Sequence, residues 1–243
     1  MSSALTKAVI LAAGRGTRMG DLTNELPKPM IAVRGKPILE HIIGGLAAAG
    51  IRQFFIVVGW RAEIVRQTIG DGARFRVSIE YATQVRQDGT GKVVELACDF
   101  VGQDPFVLSY GDIIVDPSNY PSLTSLAPDT EAIVTVKQSE DVSKGGAVFV
   151  NERFELTDLR EKPREGEPTS PWYNAGIYAF RPSIFAFTAR LQRSPRGEFE
   201  LTDAIRALAR SGKKVQVMEL SGDWADVRDP EILAKLNHPS PNE

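Results

Sequence analysis

Cysteine is nearly absent. Cys98 stands alone, so no intramolecular disulfide can form, and a reducing compartment, the cytoplasm, is the expected setting. The two histidines, His41 and His238, are far apart with no cysteine beside them, which excludes a histidine–cysteine zinc site. No apolar run approaches the roughly 20 residues that cross a bilayer, and the opening Met-Ser-Ser-Ala-Leu-Thr-Lys has no signal-peptide core. Neither sign of charge dominates: 29 Lys and Arg face 31 Asp and Glu, and a net charge of −2 gives no field to draw in nucleic acid or an anionic membrane. Internal repeats and low-complexity tracts are missing as well.

What is present suits a folded α/β chain. With 42% hydrophobic and 25% charged residues, 243 positions can bury a full core, and α/β folds of this length often form one domain. Apolar runs at Val9–Leu11, Phe54–Val58 and Phe106–Ser109 read as buried strands, and Val77–Tyr81 alternates as a further strand. Helical spacing marks 38–49, 62–69 and 91–100 between them. This rhythm predicts a Rossmann-like, mixed and mostly parallel sheet with helices on both faces and ligands at the strand C-termini. The second half holds shorter strand-like pieces at 132–137, 147–150, 155–160 and 175–180, with helices at 183–191 and 202–211. Residues 163–171 read as an exposed loop and 237–243 as a frayed tail, leaving a body over 1–236. Cys98 reads as a small buried hydrophobe.

The most informative stretch opens the chain. The first strand empties into a loop whose Ala12, Ala13, Gly14 and Gly16 let backbone N–H groups come close to an anion. Arg15 and Arg18 add guanidinium forks, Thr17 a hydroxyl, and Lys28 is held between Pro27 and Pro29. Several cations around one glycine turn predict a polyphosphate ligand. A Walker loop is excluded because no Gly-Lys-Ser/Thr follows. The dinucleotide fingerprint fails as well, since Gly20 arrives one place late and no helix obviously begins there.

Three further clusters carry chemistry. Gly111-Asp112 ends the 106–109 strand, where a carboxylate suits a hard divalent cation, although an isolated Gly-Asp also serves as a turn or helix cap. Asp223 and Asp226 flank Trp224, and Asp229-Pro230-Glu231 reads as a cap followed by proline in a first helical turn. Glu161-Lys162-Pro163 and Asn174-Ala175-Gly176 bring a carboxylate, a cation and an amide into the second half. Taken alone, Glu161 and Lys162 read as a surface pair.

Leu11 to Met19 and Leu26 to Met30 resemble the signature Leu-Ala-Ala-Gly-x-Gly-Thr-Arg-Met/Leu followed by Leu-Pro-Lys-Pro of the sugar-1-phosphate nucleotidylyltransferases. The resemblance implies a Mg2+-dependent transfer of a nucleoside monophosphate from a nucleoside triphosphate to a sugar 1-phosphate, with release of pyrophosphate. It implies that Asp112 and Asp226 hold the metal, and that Arg18, Lys28 and Lys162 are catalytic cations. Leu11, Ala13, Gly14, Arg15, Gly16, Thr17, Gln84, Gly89 and Thr90 would bind the nucleotide, and Gly146, Glu161 and Asn174 the sugar. Residues 1–115 would form a nucleotide half and 116–236 a sugar half. No hexapeptide array follows, so the left-handed β-helix acyltransferase domain of some members is not expected. The family pattern Trp-x-Asp-Val-Gly-Thr-Pro-Glu is kept at Trp224, Asp226, Val227, Pro230 and Glu231, while Arg228 and Asp229 replace Gly-Thr.

Gln84 followed by Gly89-Thr90 is similar to the uridylyl-transferring members, such as the N-acetylglucosamine-1-phosphate uridylyltransferase domain, and points to UTP. An amide can also meet cytosine, so CTP stays open, as does dTTP. A non-catalytic nucleotide-sensing homologue is a second class, but such proteins usually lose the metal carboxylates or the loop arginine, and here both are present. The sequence is compatible with a homo-oligomer and leaves the acceptor sugar open.

Overall fold

The computed structural model describes residues 3–139 and 141–238. The strands that matter for the site are β1 (Lys7–Ala12), β2 (Gln53–Val58), β3 (Ser78–Thr83), β4 (Phe106–Tyr110), β5 (Ile113–Val115), β6 (Thr130–Gln138), β7 (Gly146–Val150), β8 (Leu156–Glu161), β9 (Trp172–Phe180), β10 (Lys214–Glu219) and β11 (Trp224–Asp226). The helices are α1 (Ile38–Ala48), α2 (Ala62–Ile69), α3 (Thr90–Glu95), α4 (Cys98–Val101), α5 (Ile184–Thr188), α6 (Leu201–Arg210) and α7 (Pro230–Asn237). A one-turn helix, Tyr120–Leu123, packs beside α1.

Nine strands form the central sheet. The longest path runs β8-β7-β9-β4-β1-β2-β3, and β6 pairs the other edge of β9 and carries β10. The ladders β4-β1-β2-β3 and β6-β10 are parallel, so six of the nine strands lie in parallel pairings. Alternation along each strand explains the layering. Ala8, Ile10 and Ala12 join Phe54, Ile56 and Val58 under α1, α2 and α7, while Val9, Ala13, Phe55 and Val57 face α3 to α6. Helices therefore cover both faces, as the apolar pattern required.

Several expectations change. The helix expected over 91–100 breaks into α3 and α4, because Leu96 and Ala97 close tighter bonds to Val93 and Val94, three residues back. That break turns Cys98 to solvent, so it is exposed rather than buried. The helix expected over 183–191 is confined to Ile184–Thr188. A 3-10 helix occupies Thr17–Thr23, directly after the glycine loop, where no helix was expected. Asn237 is not frayed: it closes α7, accepts the Arg34 N–H at 2.7 Å and donates to the Ala32 carbonyl at 3.3 Å. The rest of the expected tail, from 239 on, lies outside the described residues. No helix among the described residues is long and apolar enough to cross a membrane.

One strand shapes the site more than the others. Along the edge facing the glycine loop, β9 pairs with β7 through Trp172 and Tyr173 and with β4 from Ile177 to Phe180. Asn174-Ala175-Gly176 has no strand partner on that edge, so the sheet splits there. The Trp224 indole donates to the freed Ala175 carbonyl at 3.0 Å, satisfying a group that would otherwise be orphaned. Gly176, at φ +80°, makes the bend, and a Cβ there would press on Tyr110 at 2.9 Å.

Candidate active site

The two aspartates meet because of a small ribbon. After β4 the chain turns at Gly111, whose N–H donates to the Leu11 carbonyl at 2.9 Å. A Cβ on Gly111 would lie 2.9 Å from that same oxygen, so a side chain would force the ends of β1 and β4 apart. Asp112 comes next, and β5 then pairs antiparallel with β11, aligning Asp226 with Ile113. The Val227 N–H donates to the Asp112 carbonyl at 2.9 Å. Two carboxylates distant in the chain thus stand side by side.

Lys28 stands between them. Its Nζ is 2.5 Å from Asp112 Oδ2 and 3.9 Å from Asp226 Oδ1, and its side chain is only 8% exposed. Burial, then the charge of Asp112, pushes the Asp226 carboxyl above the usual range, while Lys28, Arg228 and Arg18 offset part of the shift. Asp226 Oδ1 is buried with no hydrogen-bond partner among the described residues. An orphaned carboxylate oxygen beside a second carboxylate is a donor set that fits a hard divalent cation. Among the described residues no group of three or more His, Cys, Asp or Glu could hold a metal, so these two carboxylates are the acidic ligands the site offers.

The glycine loop braces this lysine. Gly16 has φ +71°, and a Cβ there would sit 2.8 Å from Lys28 Cβ. Only a bare backbone lets the loop lie on the lysine stem while Pro27 and Pro29 hold its main chain. Gly16→Ala is therefore expected to lower stability by about 1 to 2 kcal/mol from the left-handed backbone alone, measured by urea unfolding, and to raise the KM for the triphosphate by displacing Lys28.

Two cavities meet at Asp112. The first, about 360 Å3, is lined by Leu11, Ala13, Gly14, Lys28, Gln84, Gly89, Thr90 and Asp112, with Gln87, Tyr110 and Glu198. The second, about 220 Å3, occupies the split beside β9 and is lined by Arg18, Thr90, Asp112, Gly146, Glu161, Lys162, Asn174 and Asp226. Gly146 leaves room for Asn174, whose Cβ would be 3.0 Å from a Cβ on the glycine, and the Asn174 amide shares hydrogen bonds with the Tyr178 hydroxyl at 2.7 and 3.0 Å. Lys162 is exposed, with its backbone at φ +45° and its N–H bonded to the Gly145 carbonyl at 2.6 Å. A non-glycine residue in that region carries strain, which surrounding structure must hold in place. Burial, reinforced by the charge of Glu200, raises the Glu161 carboxyl.

Three expected nucleotide residues line neither cavity. The Arg15 guanidinium lies over the Trp60 ring, 4.7 Å from its centroid, Gly16 is spent on Lys28, and Thr17 is exposed at the start of the 3-10 helix. Conversely, the structure brings in residues passed over above, Tyr110, Lys144, Tyr173, Arg196, Glu198 and Glu200, and sets Trp224 beside them. Arg196 Nη1 reaches Glu200 at 3.1 Å and Glu161 at 3.6 Å. Phe199 braces the 88–91 turn, donating to the Asp88 carbonyl and accepting the Gly91 N–H, both at 2.8 Å, and Thr90 Oγ1 accepts the Leu201 N–H at 3.1 Å. The signal was a charge at every second position, Arg196, Glu198 and Glu200, just before α6.

Comparison with known proteins shows the family. The model of the nucleotidyl transferase family matches residues 7–240. The chain is 36% identical over 232 residues to the bifunctional protein GlmU of Methanococcus maripaludis, an alignment that takes in 95% of this chain and 54% of that protein. It thus spans about half the length of the GlmU relatives it matches. It is 35% identical over 229 residues to the UTP–glucose-1-phosphate uridylyltransferase AglF of Haloferax volcanii, covering 93% of this chain and 92% of that one. Among solved structures, a protein described as a glucose-1-phosphate thymidylyltransferase of Bacillus anthracis, crystallised with sucrose, superposes with a TM-score of 0.85 at 29% identity, covering 95% of this chain and 93% of that one.

Proposed function

Because the chain belongs to the nucleotidyl transferase family, we propose that it transfers a nucleoside monophosphate from a nucleoside triphosphate, UTP, to a sugar 1-phosphate and releases pyrophosphate. The observation that carries this reading is the juxtaposition of Asp112, Asp226 and Lys28 where two cavities meet, directly after the glycine loop. One cavity takes the triphosphate and the other the sugar phosphate, with residues 1–115 serving mainly the first and 116–236 the second.

A sugar 1-phosphate is already ionised at neutral pH, so the protein needs neither nucleophile nor general base. Its phosphate oxygen attacks the α-phosphorus in line, the bond to the β-phosphate oxygen breaks, and pyrophosphate leaves with the electron pair. Catalysis is then positioning and charge neutralisation. Asp112 and Asp226 would hold Mg2+, which when bound offsets the charge gathered on the reacting phosphates. The amides of Ala13 and Gly14, with Arg18, receive the leaving phosphates, and Lys28 and Lys162 balance charge at the two ends of the reaction. Arg15 reaches the leaving phosphates by releasing Trp60. Gln84 meets the uracil edge, and Glu161 and Asn174 meet the sugar hydroxyls.

UTP is supported by Gln84 and Gly89-Thr90 lining the first cavity and by the donor in the name of AglF. A pyrophosphate-release assay over UTP, dTTP and CTP, each with a panel of sugar 1-phosphates, tests both parts. UTP is expected to give the highest kcat/KM with one acceptor. A higher value for dTTP or CTP rejects the donor, and no release with any pair rejects the activity.

A further inference from the structure

Arg228, two residues after Asp226, departs from the family pattern, and its surroundings give it a task. Its Nη1 lies 3.9 Å from Asp226 Oδ2 and donates to the Tyr173 hydroxyl at 3.2 Å, while Nε is 3.8 Å from Asp229 Oδ2. The side chain is 20% exposed and lines neither cavity. Each oxygen of Asp226 thus has one cation 3.9 Å away, Arg228 at Oδ2 and Lys28 at Oδ1, and the buried Oδ1 has no hydrogen-bond partner among the described residues.

Tyr173, the other end of the grip, is itself closely fitted. Its ring occupies the space left by the missing Cβ of Gly145, 2.2 Å from where that atom would be, and lies 5.3 Å from the Trp224 ring. Tyr173, Gly145 and Trp224 all line the sugar-side cavity. One guanidinium nitrogen, Nη1, thus hydrogen-bonds that wall and forms an ion pair with the carboxylate. The terminal torsion of an aspartate is broad, so a partner on one oxygen decides which oxygen points forward.

We propose that Arg228 is a positioning residue: it holds Asp226 by Oδ2 so that Oδ1 is presented as a cation ligand beside Asp112, and in the same grip it fixes Tyr173 in the acceptor wall. This inference rests on the proposed reaction. Charge and positioning pull in opposite directions here, which makes the sign decisive. A cation 3.9 Å from Asp226 repels a divalent ion, so if charge were all that mattered, its removal would tighten metal binding. Loss of orientation loosens it.

The test is Mn2+ affinity of the full chain, read from the free-ion EPR signal with and without UTP, alongside acceptor KM and kcat. Arg228→Met is expected to weaken Mn2+ binding about 10-fold or more, the range for groups that orient metal ligands, and to raise acceptor KM more than it lowers kcat. Arg228→Lys keeps the charge but not the fork, and should recover only part of the loss. Tyr173→Phe, which removes the hydroxyl alone, should shift both quantities in the same direction by less, and serves if Arg228→Met does not fold. Unchanged or tighter Mn2+ binding in Arg228→Met overturns the proposal, as does full recovery in Arg228→Lys or, should Arg228→Met not fold, unchanged Mn2+ binding and acceptor KM in Tyr173→Phe. A parent chain that binds Mn2+ but releases no pyrophosphate rejects the proposed reaction instead, and leaves the comparison of Mn2+ affinities standing.

Discussion

Asp226→Asn is expected to abolish turnover and, at the same time, to make the metal-free protein more stable. The Asp226 carboxyl is pushed up to about 6 by burial and by the neighbouring charge of Asp112, against about 3.9 for a free aspartate. Two units of upward shift correspond to about 3 kcal/mol of instability at pH 8. Because the folded value is the higher one, this cost is absent below pH 4, develops as pH rises through 6, and is complete above it. Asparagine keeps the shape and discards the charge, so its gain, read by urea unfolding in EDTA, should be largest at pH 8 and fade towards pH 4. Turnover should move the other way. Asp112→Ala and Asp226→Asn are each expected to lose about two or more orders of magnitude in kcat, the scale seen when a charge-stabilising group is removed. Near-normal turnover in either variant would take away its assignment as a metal carboxylate.

Lys28→Met gives the opposite stability result at the same place. Its ammonium is the cation that touches Asp112 and approaches Asp226, and the methionine would leave two part-buried carboxylates facing each other. Removing one member of a buried ion pair typically costs about 3 to 5 kcal/mol. The variant should therefore melt well below the parent in EDTA and regain much of the difference in millimolar Mg2+, because a divalent ion can replace the lost positive charge. The parent, whose carboxylates already have Lys28, should gain less from Mg2+. Equal melting shifts in the two proteins would mean that the lysine does not stand in for the ion. Turnover should fall with stability restored, since Mg2+ cannot also supply the charge that Lys28 is proposed to bring to the phosphates.

The sequence made the strand, the glycine turn and the caged lysine legible because each depends on neighbours close in the chain. Val9 to Leu11 must be buried, Gly16 must bend, and Pro27 and Pro29 must hold Lys28, whatever the rest of the fold does. Asp226 was legible only by resemblance. Its place beside Asp112 depends on a ribbon of two three-residue strands, too short to leave a periodic signal. Residues 194–200 were missed for a related reason. Arg196, Glu198 and Glu200 look like solvated charges until Phe199 is seen gripping the loop at Asp88 and Gly91. The strand Lys214–Glu219 alternates, with Val215 and Val217 buried, yet was not among the expected strands. Cys98 went astray because helical spacing over 91–100 assumed one uninterrupted axis, and the turn at Ala97 rotates everything beyond it.

The grip of Phe199 on the 88–91 turn has a practical cost for anyone redesigning this protein. In the proposed reaction donor and acceptor meet different walls, yet one short peptide stitches those walls together through main-chain bonds that no side-chain swap can cut. Exchanging residues 194–200 to admit another sugar is expected to tug on the 88–91 turn, the one proposed to hold the nucleobase. Selection for a new product would then have to satisfy both substrates in a single round rather than in sequence.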